Sequence, residues 1–257
     1  MPTKAQALPV VEPRVAPTGR AIVLYAVTSL ELAGRRLTVD GRRMQAVRFG
    51  QVALAIAYVD PGEYAGEALE RKRSDPLALT TEARMQAHLV ERLARHVTVL
   101  PQRLFTVFAD MAALEAAART LHQRWNRALT RLAEKDEYSL RLFVGPHLRG
   151  SGEPYVLRVS ERAMRSSRLV ERRAGADAQA VAAHVRELWQ ACTAHAAGVR
   201  TVKTPAGRGP ILSAVFLVPR SAREAFALVV SEQRVRAGRL GITYYLEGPL
   251  APYTFSP

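Results

Sequence analysis

The chain has 257 residues, a hydrophobic fraction of 48%, a single cysteine and a formal net charge of +14. This length predicts one large or two modest domains, and the apolar content predicts a well-cored soluble globule. Cys192 alone excludes an internal disulfide or a multi-cysteine metal site and fits a reducing cytoplasm, while no apolar run approaches the roughly 20 residues that span a bilayer.

Only Lys4, Lys72, Lys135 and Lys203 are lysines, so the positive charge is almost all arginine, spread along the chain. That distribution reads as a general basic surface ahead of a dedicated nucleic-acid site, which stays open as an alternative. Residues 1–18 carry Pro2, Pro9, Pro13 and Pro17 and lack the apolar core of a secretory signal, so they are expected to form a disordered arm.

An N-terminal α+β domain is expected over residues 19–147. Residues 21–27 predict a central strand, and 44–49 and 52–59 predict a hairpin across Gly50-Gln51. Residues 63–73 are helix formers with Gly66 as a weak point. Thr80 or Thr81 then caps a longer helix with Ala83, Ala87, Val90, Ala94 and Val97 on one face. Pro101 ends that helix near His96 and leaves residues 97–108 as a short buried strand. Arg103, a guanidinium in an apolar run, is expected to find an internal partner. Asp110 caps the next helix, where Met111, Leu114, Ala118, Leu121, Trp125, Leu129 and Leu132 recur at helical spacing. Residues 137–144 alternate as a strand.

Three glycines and a proline over residues 145–153 mark the expected boundary, with a C-terminal domain over 148–257. There the pattern predicts a strand at 155–159, a helix at 177–197 ended by Gly198, and a hairpin of 199–203 with 211–218. A helix opened by a Ser221 to Glu224 capping box and a strand at 242–247 follow. That order, β-α-β-β-α-β, predicts a ferredoxin-like fold, an antiparallel sheet with two helices on one face. The N-terminal domain is expected to hold a mixed or antiparallel sheet packed with long helices.

No nucleotide-binding loop or nucleophile elbow is present in the sequence, and Cys192 sits at an apolar helix position as a structural thiol. His88 and His96 lie two turns apart, too far for one metal ion. Arg162, Arg165, Arg168 and Arg172 align along one side of a helix and form the candidate anion or partner surface. No cofactor, metal or catalytic residue is expected, and an enzyme is the least favoured class.

Three segments carry a resemblance. Leu100, Pro101, Arg103, Thr106 and Phe108 match a V-L-P-x-R-F-G-T-x-F pattern in which Leu104 and Phe105 replace the usual Phe-Gly pair. The segment 137–142, beginning at Glu137, matches an E-W-x-V-K-V strand. The segment 247–255, with Gly248, Pro249, Pro252, Tyr253 and Phe255, matches a terminal G-P-W-P-P-Y-S-F. In these the chain resembles the gas-vesicle accessory protein F/L family, and the motif residues read as structural. The resemblance implies a cytoplasmic, vesicle-associated protein of two α+β domains that supports gas-vesicle formation. Its implied partners are the hydrophobic shell protein and other gas-vesicle accessory proteins, without catalysis. A shell subunit with an apolar face and open strand edges aggregates unless covered, and an unoccupied sheet edge covers it by β-augmentation.

Overall fold

The computed structural model describes residues 19–144, 176–202 and 210–256. They form two compact units: the described residues up to Ala133 together with Ala251 onward, and Glu134 to Leu250. The division therefore falls at Ala133, upstream of the expected 147/148 boundary, because the strand that follows it pairs with strands near the C-terminus. The last residues, assigned by sequence to the C-terminal domain, fold with the first unit. Arg162, Arg165, Arg168 and Arg172, and the strand expected at 155–159, lie outside the described residues, as does the arm at 1–18.

The first unit holds an antiparallel sheet ordered β2 (Arg36–Val39), β3 (Arg42–Phe49), β4 (Val52–Val59), β1 (Ala21–Thr28), β5 (Val99–Pro101), with β6 (Val107–Phe108) also on β1. All eight residues of β1 are buried, as its central place demands. The β2–β3 hairpin, turning on Asp40 and Gly41 at positive φ, went unread although Asp-Gly is a strong hairpin signal. Alternate residues of β1 serve opposite faces. Ala21, Val23 and Tyr25 join Leu89, Val90 and Leu93 of α3 (Pro76–Ala94) in one core cluster. Ile22 and Leu24 are buried outside it, and α4 (Met111–Leu132) packs on β1, β4 and β5.

The helix starts follow their caps. Asp110 Oδ1 accepts from the Ala113 amide at 2.8 Å, as expected. For α3 the cap is Asp75, whose Oδ1 accepts from Leu77 N at 2.9 Å with Pro76 at the first helical position. Thr80 and Thr81 instead turn their hydroxyls back to the Pro76 and Leu77 carbonyls within the helix. The helix-forming stretch before it breaks at Ala65 into α1 (Pro61–Tyr64) and α2 (Gly66–Ser74).

The second unit holds an antiparallel sheet ordered β10 (Ile242–Leu250), β7 (Lys135–Val144), β9 (Leu212–Pro219), β8 (Gly198–Thr201). Leu140, Leu142, Ala214, Phe216 and Tyr244 share its core cluster with Val181, Leu188 and Trp189 of α5 (Ala176–Ala194) and Phe226 and Val230 of α6 (Arg223–Gly238). Gly198 opens β8 where the sequence had it closing the helix. The Ser221 to Glu224 capping box does not form: residues 220–222 make a 3-10 turn, and α6 starts one residue later without a side-chain cap.

Cys192 is fully buried in this core, and burial pushes its thiol up to about 12. His184 on the same helix is also buried, with its ring nitrogen against the Tyr244 hydroxyl. Burial lowers the His184 pKa, with Glu187 opposing and Arg236 adding to the effect. As pH falls through about 6.5, the ordinary histidine value, the unfolded chain takes up a proton that folded His184 resists. The second unit is therefore expected to lose stability below that pH. Denaturant unfolding at about pH 7.5 and pH 5 should show the loss, and His184→Gln should flatten it.

Candidate functional site

The chain between α3 and α4 does not form the continuous strand expected of residues 97–108. It runs along one edge of β1 as two short pieces, β5 and β6, with a protruding loop between them. Gln102 N donates to Tyr25 O at 2.9 Å and Leu24 N to Thr106 O at 2.9 Å, so both ends of the loop stay on β1. Within it, the Arg103 carbonyl accepts from the Thr106 amide at 3.2 Å and the Thr106 hydroxyl at 2.7 Å. This explains the threonine of the motif: its side chain closes the turn. Pro101 lacks a donor and sits at the end of an edge strand, where the loss is tolerated.

The turn needs Phe105 at φ +59°, a left-handed conformation unfavourable for a bulky residue, yet its ring is only 7% exposed and belongs to the first core cluster. Two effects compete there. Glycine would relieve about 1–2 kcal/mol of backbone strain, whereas losing a buried ring costs about 3–5 kcal/mol. Phe105→Gly is expected to destabilise the fold by about 2 kcal/mol in denaturant titration.

Side-chain amides close the outer side of this edge: Gln86 Nε2 of α3 donates to Gln102 O at 2.6 Å, and Gln102 Nε2 to Leu100 O at 3.2 Å. Beyond them lies an open groove of about 730 Å³, bounded by α3, the 101–106 segment, α4 and the C-terminal residues. Leu104, Leu121 and the nearly buried Trp125 give it apolar walls, and Gln86, Gln102 and Tyr253 give it polar ones. Arg103 and Arg124 supply its cations. Arg103 is exposed and has no side-chain partner among the described residues, which corrects the expected internal pairing. A protruding loop lets the guanidinium stay in water, so no buried counter-charge is required. Burial, then the Glu91 carboxylate, raises the Tyr253 phenol above its usual range.

The C-terminal motif divides between the two units. Ala251, Pro252 and Phe255 are buried, and Arg131 of α4 donates to the Phe255 carbonyl. Gly248 and Pro249 form an irregularity in the β10–β7 ladder, where Glu247 faces Ser139 but Leu250 faces Glu137, so β10 carries one extra residue. Glu137 is buried at that point.

One network was missed by the sequence reading. Arg42 of β3 makes a bidentate pair with Glu82 of α3 at 2.9 and 3.0 Å and donates to the Tyr25 hydroxyl at 2.6 Å. The Tyr64 hydroxyl also bonds Glu82, and the Lys72 ammonium lies 4.0 Å from the Tyr64 ring centroid. Burial first, then the Glu82 hydrogen bond, raises the Tyr64 phenol, which stays a proton donor. The available signal was register: Glu82 and Gln86 stand at the spacing of Met85, Leu89 and Leu93 on the buried face of α3.

Elsewhere His88 pairs with Asp40 at 2.9 Å on the surface. Asp136 lies against Arg220 and Arg223 in the second unit. No His, Cys, Asp and Glu group among the described residues is arranged to hold a metal ion. No described helix is long and apolar enough to cross a membrane.

The family model for gas vesicle synthesis protein GvpL/GvpF matches residues 21–257. The chain belongs to the GvpL/GvpF family. It is similar to gas vesicle protein L of Streptomyces sp. (strain CB03234), at 26% identity over 231 residues and 85% of each chain. Its fold is similar to the crystal structure of the gas vesicle protein GvpF from Anabaena sp. PCC7120, with a TM-score of 0.65 and 13% identity, over 93% of this chain and 98% of that one. GvpF from Microcystis aeruginosa gives 0.62 and 14%, over 92% and 99%. The shared fold is the α+β architecture with antiparallel sheets. Within this GvpL/GvpF chain, the central motif closes the sheet edge and the terminal motif supplies both the ladder irregularity and the buried C-terminal residues.

Proposed function

We propose that this chain is a gas-vesicle assembly factor or minor vesicle-associated component that binds the hydrophobic shell protein and supports vesicle formation in the cytoplasm. Membership of the GvpL/GvpF family across nearly the whole chain carries the reading. A shell subunit with apolar surface needs a folded partner to cover it before assembly, a role that calls for surface and not for catalysis. In the second unit, exposed Tyr245 on β10, with Phe143 on the same sheet face packed edge-on to it at 5.3 Å, offers an apolar surface suited to that contact. Strand addition at β5–β6 is the less suitable mode, since Pro101 and the two glutamine amides occupy that edge. The second unit also reads as a ferredoxin-like module. Its β-α-β-β-α-β order with strand order β10-β7-β9-β8 supports that assignment, with β7 as the first strand where 155–159 was expected.

Co-expression with a gas-vesicle shell protein tests the binding. The shell protein is expected to stay soluble and co-purify with this chain. A shell protein that precipitates equally with and without it would count against the proposal.

A further inference from the structure

We infer that the groove beside the 101–106 loop binds an acidic peptide segment of a protein partner, its carboxylates held by Arg103 and Arg124 and an apolar side chain seated against Leu104 and Leu121. Both arginines line the groove, both are exposed, and neither guanidinium has a hydrogen-bond or ion-pair partner among the described residues. Two unpaired guanidinium groups at one concave surface are available for planar carboxylates, which they bind through paired N–H donors.

The surrounding field has the same sign. After Glu115, α4 carries Arg119, Arg124, Arg127 and Arg131 and no acidic residue. Its carboxylate-free length steers an anionic segment toward the groove. Glu91 of α3, close enough to raise the Tyr253 phenol, is a carboxylate near the same groove.

The size and lining select a peptide over other anions. About 730 Å³ far exceeds a single inorganic anion, and the glutamine amides Gln86 and Gln102 are already committed to the loop backbone. What remains open is a mixed wall that suits an apolar side chain flanked by acids. Single-stranded nucleic acid binds on exposed aromatic platforms along a phosphate track. Here Trp125 is only 3% exposed, and Tyr253 is the one aromatic residue lining the groove that is exposed. The inference stands on the groove itself and holds whichever protein the partner proves to be.

The test uses the full chain and a fluorescein-labelled synthetic peptide of alternating glutamate and leucine. Its glutamine-for-glutamate counterpart and an oligothymidine serve as competitors, with binding read by fluorescence anisotropy. The acidic peptide is expected to bind and the glutamine version not to. Arg103→Gln and Arg124→Gln should each weaken binding about tenfold, while Arg234→Gln on α6 should leave it unchanged. Because neither guanidinium makes a contact among the described residues, both variants should keep the wild-type unfolding midpoint. Should one of them lose it, Arg103→Lys and Arg124→Lys take its place, expected to retain the charge but weaken binding by losing the paired donors. Three results would overturn the inference: no binding of the acidic peptide, equal loss with Arg234→Gln, or displacement by oligothymidine at lower concentration than by unlabelled peptide.

Discussion

Glu82→Ala is expected to destabilise the protein by about 3 kcal/mol, the effect of removing one partner of a buried ion pair. The carboxylate receives both guanidinium bonds of Arg42 and the Tyr64 hydroxyl, and its side chain is 10% exposed. Alanine leaves the Arg42 charge, 27% exposed, facing the Tyr25 and Tyr64 hydroxyls without a counter-ion. The network joins β1, β3, α1 and α3, so the loss should spread through the first unit. For a chain of this size it should lower Tm by roughly 10 °C. The double replacement Arg42→Met with Glu82→Leu should be milder than Glu82→Ala, because it removes both charges together. A Glu82→Ala variant as stable as wild type would show that the pair is solvated and energetically idle.

The second large effect is expected at Gly248. Its φ is +147°, and a β-carbon added there would lie 2.6 Å from Tyr138 Cδ1 and 3.0 Å from the Glu137 carbonyl oxygen. The carbonyl is backbone held by the β7–β10 ladder, and the Tyr138 ring packs against Phe226 with centroids 5.2 Å apart, so neither neighbour yields easily. Gly248→Ala therefore combines backbone strain with overpacking, together about 3 kcal/mol or more. Hydrogen exchange is the informative readout. Amides of β10 and the adjoining part of β7 should lose protection first, whereas those of the first sheet should keep theirs. Unchanged protection along β10 would mean that the ladder irregularity absorbs a side chain.

How far the sequence revealed this fold follows from where each signal resides. The two strands over 44–49 and 52–59 across Gly50-Gln51, the Asp110 cap and the three-and-four spacing of Leu114, Ala118, Trp125, Leu129 and Leu132 are local, and each is realised in the structure. Errors came where two local signals competed. Asp75-Pro76 outranks Thr80 as a helix start because proline presets the first turn, and the Ser221 box fails because a 3-10 turn occupies its first residue. The boundary was misplaced because β7 pairs with β9 and β10, long-range contacts that no local composition records. The groove was the least visible feature. It assembles Gln86, the 101–106 loop, Arg124 and Tyr253 from four separated segments, and Arg103 looked like a buried charge only while its loop was read as strand.

The central claim is that this chain takes part in forming gas vesicles. Its most direct test is electron microscopy of the source cells after deletion of its gene and after restoration of the wild-type copy. The account predicts few or no vesicles on deletion and recovery on restoration, whereas vesicles of unchanged number and shape in the deletion strain would contradict it.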